Sequence, residues 1–189
     1  MQEIQICELT ETVAIYDAIA QLGGYLDPPL TGRAGFDLGE YAQKLADTGR
    51  VFAAVNEQGQ LLGALAMYAN DLGGSNAWGT FLAVMPESRH QQVGTKLFEQ
   101  AVAAARAAGK TGLHFRVHRN NKAAIRFYQH RGSRLCEPVQ EHHQVQGQGQ
   151  YQAQEGQEQD QGKEQQDDNM LEMMYMIMPG RLNHNTDDI

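Results

Sequence analysis

Residues 89–94 read Arg-His-Gln-Gln-Val-Gly and lie between an apolar run, "AWGTFLAVM", and a stretch with helical spacing, "VGTKLFEQAV". A strand that ends at Val84 and a helix that starts near Gln92 leave the first N–H groups of that helix without partners. Such donors, together with the helix dipole, form a ready site for an anion. Arg89 and Lys96 can add positive charge there, and Gly94 can let a ligand approach the first turn. The same residues also make an ordinary polar loop, so on this stretch alone both readings stand. A second stretch, "NKAAIRFYQHRG", starts with Asn121 and carries Tyr128 two turns later. Asn at a helix start is first of all a cap. Tyr128 shares a face with Ala124 and Ile125, which suits a half-buried aromatic, but its phenol is also a proton donor.

These groups need elements to position them. "EIQICEL" alternates as a strand does, and "TETVAIYDAIAQL" has helical spacing, with Thr10 as the expected N-cap and Gly23 and Gly24 after its end. A Pro/Gly-rich loop follows, then a second amphipathic helix, "DLGEYAQKLADTG", with Leu38, Tyr41 and Leu45 on one side. "RVFAAVNEQGQLLGALAMYAND" holds two strand-like runs around turn residues and predicts a hairpin. The helix after the hinge places Val93, Leu97, Ala101 and Ala105 at four-residue steps, flanked by Phe98 and Val102, and Gly109 closes it. "TGLHFRV" is a strand, "NKAAIRFYQHR" a short helix, and "SRLCEPV" and "NMLEMMYMIMP" further strands. A parallel strand–helix–strand unit with antiparallel hairpins on both sides is an α/β domain with a mixed sheet.

The chain has 189 residues, 41% of them hydrophobic, which suits a single domain spanning residues 1–189. Residues 140–168 break the pattern, with 12 Gln and seven acids against Lys163 alone. A segment so poor in aliphatic residues cannot offset the cost of ordering, so it is expected to be a disordered or protruding insertion before the last strand. It carries −6 of the formal −8, which leaves the rest nearly neutral and gives no nucleic-acid surface. No apolar run is long enough to cross a membrane, and the N-terminus lacks the regions of a signal peptide. Cys7 and Cys136 have no metal-type spacing and are expected to be free thiols in a reducing compartment, hence a cytoplasmic protein. His142 and His143 lie in the Gln-rich segment, and no metal site is expected there.

Taken together, "R-x-x-Q-x-G" at 89–94 after an apolar strand, a long helix, a strand, and "N-x-x-A-x-x-x-Y" at 121–128 closed by Gly132 resemble the GNAT superfamily of acyl-CoA-dependent N-acetyltransferases. The likeness is specific over roughly residues 50–137. It implies a mostly antiparallel central sheet flanked by helices, with a splayed central parallel pair. It implies acetyl-CoA as co-substrate and a primary amine of a small molecule as acceptor. The segment "DPPLTGR…DLGEYAQKL" looks like a branch linked with sugar metabolism, which adds amino sugars to the acceptors implied. Many such enzymes are dimers, so a homodimer is among the implied assemblies; neither nucleic acid nor membrane is.

By the same resemblance, Leu82, Ala83 and Val84 hold the pantetheine arm through main-chain groups. The amides of Arg89, His90, Gln91, Gln92, Val93, Gly94 and Thr95 hold the pyrophosphate. Asn121 contacts the pantetheine arm, and Tyr128 protonates the departing thiolate. The Val84 N–H is the expected oxyanion donor. Tyr68, Asn70, Asp71, Thr80 and Glu40 border the expected acceptor cleft, and none stands out as a general base.

Two departures matter. Gln92 replaces the first glycine of the family's hinge; a residue starting a helix can take negative φ, so the backbone is expected to admit it. Ser133 stands where an aromatic often follows Gly132 and is expected to pack less. Gln92 favours a rival reading, a non-catalytic acyl-CoA-binding or protein-interaction module on the same scaffold. A Rossmann-type nucleotide loop fits poorly, since it needs three glycines after the first strand.

Overall fold

The computed structural model describes residues 3–30, 35–71, 74–136 and 170–177. The Gln-rich segment, with His142 and His143, and the C-terminal tail lie outside the described residues.

Among the described residues seven strands form one sheet: β1 (Gln5–Leu9), β2 (Arg50–Val55), β3 (Leu61–Tyr68), β4 (Asn76–Val84), β5 (Gly112–His118), β6 (Arg134–Cys136) and β7 (Met170–Met176), in the order β1-β2-β3-β4-β5-β7-β6. All neighbours are antiparallel except β4 and β5. The hairpin at β2–β3 is turned by Asn56, whose Oδ1 accepts from the N–H groups of Gln58 and Gln60. That is the local bonding for which Asn is favoured in turns.

Among the described residues four α-helices cover the sheet: α1 (Thr12–Leu22), α2 (Leu38–Thr48), α3 (Val93–Ala107) and α4 (Lys122–His130). The first begins one residue later than expected: Glu11, not Thr10, is its N-cap, with no side-chain bond to the helix. Helix α2 is capped by Asp37, which accepts from Glu40 N–H at 2.8 Å. Two apolar layers result. On one face Ile15, Ile19 and Leu22 of α1 and Leu45 of α2 pack on Val51, Ala64, Ala66, Phe81 and Ala83. On the other, the α3 stripe (Val93, Leu97, Phe98, Ala101, Val102, Ala105) packs on Phe52, Leu65, Met67, Leu113 and Phe115. Fully burying a side chain such as Leu97 is worth roughly 1.5–3 kcal/mol, so this stripe fixes where α3, and therefore the hinge before it, must lie.

The parallel pair sets up the site. Strand β4 is nine residues long, but only Asn76–Gly79 pair with Gly112–Phe115 of β5. Beyond Gly79 the strands part. The register of β3 against β4 shifts between Ala66 and Met67, so that Thr80 is the extra residue of a bulge. A bulge bends its strand and strengthens its twist, which is how β4 leaves β5. Glycine is required at the fork: a Cβ on Gly79 would lie 2.0 Å from the Phe115 ring.

Candidate active site

Past the fork, the phase of the β3–β4 ladder decides which main-chain groups are available. Met85 N–H donates to Leu62 C=O at 2.8 Å. In an antiparallel ladder bonded pairs recur every second residue, so Ala83 and Phe81 turn their main-chain groups toward Ala64 and Ala66. Leu82 and Val84 turn theirs the other way, toward the gap left by β5. Ala83 lies in the expected stretch, but its N–H and C=O are spent on β3. Among the described residues no strand stands opposite Thr80–Val84 on the β5 side.

The hinge follows. Ser88 and Arg89 N–H groups bond back to Met85 and Pro86, and the next main-chain bond of this run is Lys96 N–H to Gln92 C=O. The N–H groups of His90, Gln91, Gln92, Val93, Gly94 and Thr95 thus donate to no main-chain oxygen among the described residues. His90 and Gln92 have φ of 65° and 63°, in the left-handed region. The expectation of negative φ at Gln92 is therefore overturned. Gln92 occupies a conformation that suits glycine, at a cost of about 1–2 kcal/mol for a residue with a Cβ. The side chain of Gln91 turns back to Glu87 C=O at 2.8 Å, and Arg89 is exposed. Lys96 does not face the hinge: its Nζ lies 3.4 Å from Ile4 C=O, toward β1.

Gly94 is where the parts meet. A Cβ there would lie 3.1 Å from the Phe127 ring of α4 and 3.6 Å from Cγ2 of Val84. Its missing side chain thus admits α4 as well as any ligand. Next to Phe127, Tyr128 is buried, stacked on Phe115 with ring centroids 4.5 Å apart and flanked by Phe98 and Phe127. Phe115 is the last β5 residue paired with β4, so Tyr128 sits beside the point where the strands separate. Burial pushes its phenol above the ordinary value. Asn121 caps α4 by accepting from Ala124 N–H at 2.9 Å, and its Nδ2 lies 3.4 Å from Asp27 C=O in the α1–α2 connection.

On the opposite face of the gap, Tyr41 and Thr80 join hydroxyls at 2.9 Å, with Phe36 against Tyr41 and Lys44 5.9 Å over the Tyr68 ring. Burial, and then Tyr41, push the Tyr68 phenol up to about 12. Glu40, next to Tyr41 on α2, is exposed, as are Asn70 and Asp71 past the end of β3, where Asp71 C=O accepts from Lys110 Nζ. Ser133 is buried, and among the described residues its hydroxyl has no hydrogen-bond partner.

One group at the hinge was not marked by the sequence. Arg131, at the end of α4, donates to the Thr95 hydroxyl and to Phe127 C=O, and stacks 3.9 Å above the Phe127 ring. A basic residue beside the helix-ending Gly132 was the available signal, but its partner Thr95 lies 36 residues earlier.

A strand splayed from its parallel neighbour, followed by a helix with open amides, is an arrangement with known counterparts. The model of the family described as "Acetyltransferase (GNAT) family" matches residues 16–132. The chain belongs to the GNAT acetyltransferase family. Solved structures of similar fold include an acetyltransferase from Streptococcus agalactiae (TM-score 0.62, 16% identity, covering 93% of this chain and 99% of that one). Others are Ard1 from Thermoplasma volcanium (0.60, 14%, 93% and 98%) and the PaiA N-acetyltransferase from Thermoplasma acidophilum, in complex with coenzyme A (0.58, 12%, 91% and 99%). At these identities the likeness is one of fold. The protein is thus an acyltransferase of the GNAT fold, and no helix among its described residues is long and apolar enough to cross a membrane.

Proposed function

We propose that this GNAT enzyme transfers the acetyl group of acetyl-CoA to a primary amine of a small molecule or amino sugar by direct attack. The reading is carried by one observation: the unspent main-chain groups of Leu82 and Val84 face a gap that leads onto the open amides of His90–Thr95. Donors in that order suit a ligand with an amide-bearing arm at one end and phosphates at the other.

Each residue then has a role in the transfer. Leu82 and Val84 bind the arm as a neighbouring strand would, and the hinge amides take the diphosphate. The amine nitrogen bonds to the thioester carbon, and the carbonyl oxygen that gains charge accepts from Val84 N–H. As the C–S bond breaks, the sulfur takes the proton of the Tyr128 phenol, and the nitrogen loses one to solvent, from which the phenolate is reprotonated. Tyr68 is no base for that last step, because a phenol raised to about 12 stays protonated at neutral pH. Holding both reactants in attack geometry supplies much of the acceleration, and no enzyme nucleophile is needed.

The test is thermal unfolding with acetyl-CoA, followed by thiol release over a panel of amines, amino sugars and amino acids. Acetyl-CoA at 100 times its Kd should stabilise the fold by about 2.7 kcal/mol. Thiol should then be released with an amine. Binding without release on any acceptor of the panel would point instead to a non-catalytic acyl-CoA module, and absence of binding would remove the reading altogether.

A further inference from the structure

Arg131 bridges two helix ends, the C-terminus of α4, which favours a cation, and the first turn of α3, which does not. Its guanidinium lies against Thr95, in the first turn of α3, where the helix dipole is already positive. Among the described residues, the ion pair within 4 Å is Arg50–Glu8, and no carboxylate makes one with Arg131. Among the described residues its Nε is buried without a hydrogen-bond partner. Burial pulls its pKa down, and Glu99, exposed one turn further along α3, only partly opposes this. The side chain is nonetheless fixed, with two bonds and a ring beneath it. A pinned, desolvated cation at a helix N-terminus gains most when an anion is present.

Its partner points the same way. Helical threonines can return their proton to the carbonyl four residues earlier, as Thr48 does to Lys44 at 2.8 Å. Thr95 has no such bond among the described residues. Instead its oxygen accepts from Arg131, which leaves its proton to be donated outward, next to the Val93–Thr95 amides.

We infer that Arg131 is a positioning residue for the diphosphate of acetyl-CoA, holding the Thr95 hydroxyl as a donor to it and adding charge to the opening turn of α3. The assignment rests on the acetyl-CoA reading above, but concerns a side chain outside the hinge and helix motifs that suggested it.

The experiment compares Arg131→Met, which keeps the stem on Phe127, with Thr95→Val and the double variant. Four probes are titrated: acetyl-CoA, its dephospho form, S-acetylpantetheine and inorganic pyrophosphate. Each single variant should weaken acetyl-CoA and the dephospho form about tenfold, as expected for a lost charge-assisted bond. Pyrophosphate binding should weaken likewise, S-acetylpantetheine should be unaffected, and the double variant should lose no more than Arg131→Met alone. Equal weakening of all thioesters, or loss confined to the form bearing the 3′-phosphate, overturns the assignment. If Arg131→Met does not fold, Thr95→Val, which leaves the arginine stack intact, decides by the same four ratios. Wild-type protein that binds pyrophosphate but no thioester would sink the acetyl-CoA reading and leave Arg131 to be judged on pyrophosphate. Wild-type protein that binds neither overturns both.

Discussion

Helices α3 and α4 follow the two parallel strands and so begin at the same end of the sheet, yet they begin differently. Helix α4 opens on Asn121, whose side chain satisfies Ala124 N–H. Helix α3 opens on Gln92, with no side-chain cap and with His90 and Gln92 both in left-handed conformation. A good cap contributes about 1 kcal/mol, and each left-handed residue with a Cβ costs about 1–2. The start of α3 is therefore the less stable by a few kcal/mol, and what it keeps in return is a row of open amides. One helix start is built to hold its helix, the other to hold a ligand.

The largest expected effect separates the two roles. Tyr128→Phe removes a proton donor from the helix that holds, without touching the start that binds. Turnover should fall about 100-fold, the lower end of what a general acid contributes, while acetyl-CoA affinity changes little. Stopped-flow thiol release and calorimetry measure the two. Because burial raises the phenol, wild-type kcat should show no loss from Tyr128 ionisation until pH passes the ordinary phenol value of about 10. A variant that loses binding rather than rate would break the comparison, since the Tyr128 phenol would then be a binding group and not a proton donor.

Next in size is Gln92→Asp. A carboxylate at the positive end of α3 should stabilise the free protein by about 0.3–1 kcal/mol. The same charge should repel a diphosphate, weakening acetyl-CoA by roughly tenfold, or about 1.4 kcal/mol. Opposite signs in unfolding temperature and affinity are the signature of a helix start reserved for an anion. Both moving together would mean that the open amides face something else.

The contrast also explains what was legible beforehand. The α3 stripe could be read because Val93, Leu97, Ala101 and Ala105 repeat at the helical period, and burial on a sheet demands that repeat. Asn121 could be read because a cap acts over three residues. The left-handed backbone at His90 and Gln92 could not, since a Gln gives no sign of it and a His only a weak one. The bulge at Thr80 has no local sign either, because it exists only against Ala66 and Met67 of another strand. Lys96 was placed at the anion site by proximity in sequence, but helical phase turns it to Ile4, and Arg131 arrives there from another helix.

The smallest effect bears on Asn121 itself, because that residue can serve both functions. Its Oδ1 is committed to Ala124 N–H, while its Nδ2, among the described residues, makes a long contact to Asp27 C=O and faces the α1–α2 connection. Asn121→Ala should lower stability by about 1 kcal/mol, which in a domain of this size is roughly 2–4 °C in Tm. Asn121→Asp restores the acceptor and keeps a favourable charge at the helix start, so Tm should recover. Any loss of acetyl-CoA affinity that persists in Asn121→Asp then belongs to the amide N–H and not to the cap. Full recovery of both quantities would make Asn121 purely a cap. A recovered Tm with affinity still reduced would mean that even the helix built to hold lends one donor to the ligand, and the division between the two starts would become one of degree.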